Sequence, residues 1–129
     1  MTLQQKIHDV WKTNRLLCNS IPSEFLTYAY SPYERLPRAV FTIKDQTVAA
    51  RTNQGVAVES ATVQFVVFET SCAGALNDLK QIISHYDGKT FDLEEDNKYA
   101  DFVLNHFNVA HDDNHWKADV SFDVKTFRL

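Results

Sequence analysis

The chain has 129 residues, 44% of them hydrophobic and 23% charged, with a formal net charge of −4. These are ordinary values for one soluble globular domain, long enough to bury roughly two-thirds of its unfolded surface. They tell against a membrane helix, because no apolar run approaches about 18 residues. They also tell against tight nucleic-acid binding, because no basic patch with interleaved aromatics is present.

The charge is unevenly spread. Residues 1–51 carry seven Lys or Arg against four Asp or Glu, and residues 52–129 carry six against thirteen. Such polarity can steer one copy head-to-tail onto the next, or simply reflect two differently solvated faces. The opening MTLQQKIHDVWK lacks the apolar block of a signal peptide, so the protein is expected to stay in the cell that makes it. Cys18 and Cys72 are the only cysteines, and a cytosolic chain would keep both reduced.

Leu3, Ile7, Val10, Trp11, Leu17 and Cys18 follow helical spacing, which predicts an amphipathic helix from Thr2, as N-cap, to about Asn19. Pro22 follows as a stop signal. The segment FLTYAYSPYERLPRAV predicts a short strand around Leu26–Tyr30 and then an irregular connection punctuated by Pro32 and Pro37. Its Tyr28, Tyr30 and Tyr33 suit the rim of a core, a partner contact or the wall of a ligand pocket.

Ala39, Phe41 and Ile43 alternate with Val40, Thr42 and Lys44 as a strand. Strand pattern continues through Thr47–Ala50, turns at Asn53-Gln54-Gly55 and resumes at Val56–Val58, which predicts a long β-hairpin with a projecting tip. An arm with so few apolar residues either packs on another molecule or forms a surface loop.

The stretch VAVESATVQFVVFETS, residues 56–71, is the centre of the chain. Val63, Phe65 and Val67 point one way, and Thr62, Gln64, Val66 and Phe68 the other, so VQFVVF is apolar on both faces. That predicts a central strand with something packed on each side. Thr70 and Ser71 supply capping oxygens for a second helix, Ala73–Tyr86, whose expected buried stripe is Leu76, Leu79, Ile82, Ile83 and Tyr86. Asp78, Lys80 and Gln81 are expected on its wet side, with Gly88 as the C-terminal cap residue.

Thr90–Leu93 reads as a short strand before the acidic turn Glu94-Glu95-Asp96-Asn97, and Phe102–Val109 as a further strand. In the last strand Trp116, Ala118, Val120, Phe122 and Val124 point inward and Lys117, Asp119, Ser121, Asp123 and Lys125 outward, as in an antiparallel sheet with one wet face. The expected fold is α+β: one domain over residues 1–129, a mostly antiparallel sheet, two helices packed on it and a long projecting hairpin.

Candidate chemistry is sparse. His106, His111, Asp112, Asp113 and His115 have metal-ligand side chains, but their spacing matches no standard zinc pattern and a hairpin turn already explains Asp-Asp-Asn. Asp92, Glu94, Glu95 and Asp96 lack the spacing and glycine of a calcium loop. Cys72 sits where a helix dipole would lower a thiol pKa, yet no histidine is near it in sequence. No catalytic residue, cofactor or metal is assigned.

From Leu36 onward the chain resembles the tail terminator (tail completion) proteins of long-tailed bacteriophages and related prophage elements. The resemblance rests on LPRAVFTI after a proline-punctuated loop, the hairpin ending in ATVQFVVFETS, the helix AGALNDLKQIISHYDG and the closing strand HWKADVSFDVKTFRL. It implies a structural protein without catalysis: a head-to-tail ring, usually of six, that caps the tail tube, stops its polymerisation and offers a surface to the head connector. DNA would only pass through the lumen, no membrane is involved, and the protein would assemble in the bacterial host cytoplasm and end in the virion tail. On that reading Lys44 and Arg51 on the arm face Asp92 and Glu94 of a neighbouring copy, with Asn53 and Gln54 of the arm's tip also in the interface. Two other roles remain compatible with the sequence: a head–tail connector subunit of similar fold, and a dimeric small-molecule-binding regulatory domain.

Overall fold

The structure, a computed structural model, describes residues 1–52 and 55–129, with side chains described outside 49–57. The elements are α1 (Leu3–Thr13), α2 (Arg15–Ser20), a 3-10 turn (Ser23–Phe25), β1 (Leu26–Tyr28), β2 (Arg38–Thr52), β3 (Gly55–Glu69), α3 (Cys72–Tyr86), β4 (Thr90–Asp92), β5 (Lys98–Asp112) and β6 (His115–Arg128). Six strands form one sheet in the order β1-β2-β3-β6-β5-β4, antiparallel except for β1 against β2. The fold is therefore α+β in a single domain, as the sequence pattern predicts.

α1 and α3 lie against the sheet face that carries Phe41, Phe65 and Phe122, and α2 packs against α1 and α3. Phe65, fully buried at the centre of β3, has its ring 6.0 Å from Trp11 of α1, 4.9 Å from Tyr86 of α3 and 6.1 Å from Phe122 of β6. Two polar tips in this core are satisfied by backbone: Trp11 Nε1 donates to the Ile21 carbonyl at 2.9 Å, and Tyr86 Oη donates to the Ile7 carbonyl at 2.7 Å. The second bond ties α3 to α1, which are far apart in sequence, and burial of the Tyr86 hydroxyl raises its pKa and keeps it a donor.

The opening helix is two helices rather than one. Asn14 leaves helical geometry (φ −99°, ψ 115°), ends α1 and caps α2 by accepting from the Leu17 amide at 3.1 Å. The interval from Trp11 to Leu17 is a poor fit to 3.6 residues per turn, and the break re-aims α2 so that both side chains are buried. Thr2 does cap α1, in a full capping box with Gln5.

Three other expectations change. β1 stops at Tyr28, because Ala29 turns away at φ +70°. The buried stripe of α3 is Ala75, Asp78, Leu79, Ile82 and Tyr86: Asp78 is 2% exposed and Leu76 is 51% exposed, the reverse of the pattern expected. The second face of β3 carries no helix, so Val66 and Phe68 are half-buried in a face that lacks a second layer among the described residues. The β2–β3 hairpin forms as expected, but most of its length is inside the sheet. Its last rungs, Arg51 opposite Val56 and Thr52 opposite Gly55, lie beyond the last β3–β6 pair, Val58 opposite Phe127.

Candidate assembly surface

Both outer strands of the sheet are short. β1 covers β2 only opposite Ala39–Phe41, and β4 covers β5 only opposite Tyr99–Asp101. Among the described residues, the outer edge of β2 from Thr42 onward, and that of β5 from Val103 to Asp112, therefore have no strand beside them. An uncovered edge offers backbone donors and acceptors to another chain. Along β2 that tendency is blunted by register shifts at Lys44/Thr47, Val48/Ala50 and Ala50/Arg51, with Asp45 at φ +56°. Along β5 one shift occurs, at Leu104/His106, beyond which the strand runs regularly to Asp112.

Of the predicted interface residues, Lys44 and Arg51 lie on β2, and Asp92 and Glu94 lie at the end of β4 and just after it. Lys44 is exposed on β2 and donates to Gln64 Oε1 at 3.2 Å. Arg51 belongs to β2 near the hairpin's end, while Asn53 and Gln54 lie outside the described residues. Asp92 ends β4 at the opposite edge, where its Oδ1 accepts from the Glu94 amide at 2.7 Å. Glu94 is exposed at φ +58°. The acidic turn is held by its own contacts: the N-terminal ammonium donates to the Leu93 carbonyl at 2.6 Å and lies 3.4 Å from Glu95, and Arg128 lies 3.8 Å from Asp96.

Register fixes the relative heights. Asp92 pairs with Tyr99, Tyr99 with Phe127, Phe127 with Val58, and Val58 with Ala50. Arg51 pairs with Val56 across a further register shift and so stands one residue along β2, and two along β3, from the row that ends in Asp92 at the other side of the sheet. The cationic and anionic positions do not meet within one chain; they occupy opposite edges at similar height.

The three tyrosines are split. Tyr33 packs edge-on against Phe25 (5.0 Å), and Tyr28 packs against Phe41 (5.3 Å) beside a groove shared with His8 and Lys12 of α1. Tyr30, 73% exposed, overhangs a cleft of about 390 Å³ on the open sheet face, floored by Val40, Val66 and Phe68 and flanked by Arg38 and Lys117. Arg38 stacks over Phe68 at 4.5 Å and donates to the Glu34 and Arg35 carbonyls. A single pocket walled by all three tyrosines is not what the chain builds.

His106 and His111 take opposite faces of β5, facing Ser121 and Trp116 respectively. Among the described residues, no three His, Cys, Asp or Glu are grouped to hold a metal ion, and no helix is long and apolar enough to cross a membrane.

One polar feature escapes sequence inspection. Asp78 of α3 and Glu69 at the end of β3 are both buried, and burial, reinforced by the hydrogen bond and charge of Glu69, pushes the Asp78 carboxyl up to about 9. Asp78 Oδ2 lacks a partner unless a carboxyl proton is shared with Glu69. Gly74 leaves room for this pair, since a Cβ there would come within 2.8 Å of Glu69 Oε2. Neither residue lines the α1 groove or the cleft on the open sheet face.

No protein-family model matches the chain, and no curated protein sequence matches it. Among solved structures, a chain in the virion of a native gene transfer agent particle is similar, with a TM-score of 0.67 over 97% of this chain and 94% of that one, at 12% identity. The likeness is one of fold, and it extends over nearly the whole of both chains.

Proposed function

We propose that the protein is a non-enzymatic structural subunit of a phage or prophage tail, a tail terminator that closes head-to-tail into a ring on the tail tube. The observation that carries this reading is the unlike pair of sheet edges: cationic positions Lys44 and Arg51 on β2, and Asp92 and Glu94 beside β4. A surface that complements its own opposite side, rather than itself, drives heterologous association, and such association closes into a ring when the rotation permits. The fold likeness to a virion chain supports the same assignment.

On this reading the ring, most simply a hexamer, caps the tube protein and presents its other face to a head-connector protein, while DNA passes through the lumen. The chain's acidic balance, −4 overall, gives DNA little reason to adhere. The test is native mass by light scattering across a concentration and salt series. A hexamer, or a monomer that becomes a closed ring at high concentration and loses it at high salt, is the expected result. A tight dimer independent of concentration would overturn the reading in favour of a ligand-binding domain.

A further inference from the structure

Tyr28, Phe41, Phe65, Val120 and Phe107 lie in register across the sheet, one residue from each of β1, β2, β3, β6 and β5. All five belong to the helix-side face. The three inner members are buried, while the two ends are open: Tyr28 is 37% exposed and Phe107 54%. Phe107 reaches this face through the register shift at Leu104/His106. Ala100, Phe102 and Leu104 point to the helices before it, and Phe107, Val109 and His111 after it, with Asn105 the extra residue. An apolar row thus ends in an exposed aromatic ring at both edges of the sheet.

We infer that this row continues from copy to copy: Tyr28 of one subunit packs on Phe107 of the next, joining the β1 side of one sheet to the free β5 edge of its neighbour. The occupant is a second copy because one alignment of neighbouring sheets brings together both the open ends of the aromatic row and the oppositely charged positions. The row of Tyr28 and Phe107 crosses β6 at Val120, and the row ending in Asp92 crosses it at Phe127. Setting neighbouring sheets side by side without axial slip brings Tyr28 to Phe107 and, lower down, the strand position beside Arg51 to Asp92. β1 and β5 also run in opposite directions, so the junction is antiparallel like most of the sheet.

This inference rests on the ring reading and supplies the contact that the charges alone lack. The test mixes a Tyr28→Cys chain with a Phe107→Cys chain under mild oxidation, with the parent and each single variant alone as controls. A covalent dimer that forms only in the mixture is expected. If light scattering shows a ring but the mixture gives no cross-link, this interface is wrong and the ring reading stands. If Phe107→Cys links to itself, the contact is two-fold, and both fall. If no oligomer forms at any concentration, both fall as well. Phe107→Glu gives a second reading: the oligomer should be lost with the thermal midpoint unchanged, and an intact oligomer would overturn the proposal.

Discussion

Asp78 and Glu69 show how a single proton enters the stability of this core. The Asp78 carboxyl, raised from 3.8 to about 9, keeps its proton in the folded chain over a pH range in which the unfolded chain has lost it. Stability from this group is fully present below about pH 4, declines as pH rises and has been lost once pH passes about 9. Asp78→Asn keeps a donor for Glu69 without the titration. It should flatten that decline and make the protein roughly 1–3 kcal/mol more stable at pH 8. Urea unfolding of both chains at pH 5, 7 and 9 checks this. Two α3 leucines test the orientation of the same helix. Leu76→Ser should change stability by about 0.5 kcal/mol or less, whereas Leu79→Ala should cost about 2–5 kcal/mol. Similar losses at the two positions would contradict the observed stripe.

At the scale of elements, Asn14 does the work of two caps. Its amide donates to the Trp11 carbonyl at the end of α1, and its side chain accepts from Leu17 at the start of α2. Asn14→Ala removes the second bond but not the first, and should cost about 1 kcal/mol, read as a lowered thermal midpoint. Trp11 and Leu17 are then the side chains whose packing loosens. A comparable device operates in β5, where the single extra residue Asn105 decides which side chains face the helices. In both places one residue that breaks a period re-aims everything after it.

The whole molecule is a two-layer structure with helices on one sheet face and two dissimilar edges. On the proposed ring reading the charge polarity has a role at this scale, because Arg51 and Asp92 are separated by the width of the sheet yet lie within about one to two residues of the same row. Arg51→Glu should weaken assembly and reduce its salt dependence, and Asp92→Arg should do the same. The double exchange should restore most of the assembly, as measured by native mass at fixed concentration. Assembly and salt dependence untouched by Arg51→Glu would remove this contact from the interface.

Much was legible in the sequence because it is local. Alternation located β2, β3 and β6, capping oxygens placed the starts of α1 and α3, and Gly88 and the Asp-Asn turn at residues 113–114 carry their own backbone preferences. Periodicity, however, reports only how a residue alternates relative to its own chain. Whether Leu76 or Asp78 faces inward depends on where α2 and Glu69 lie, and whether Val66 is covered depends on which face the helices choose. Tyr28 and Phe107, 79 positions apart in the chain, share one row only because four intervening strand pairings align them. Strand identity follows from short-range sterics and hydrogen bonding; the edges, the open face and the buried carboxyl pair follow from long-range packing, which no local pattern encodes.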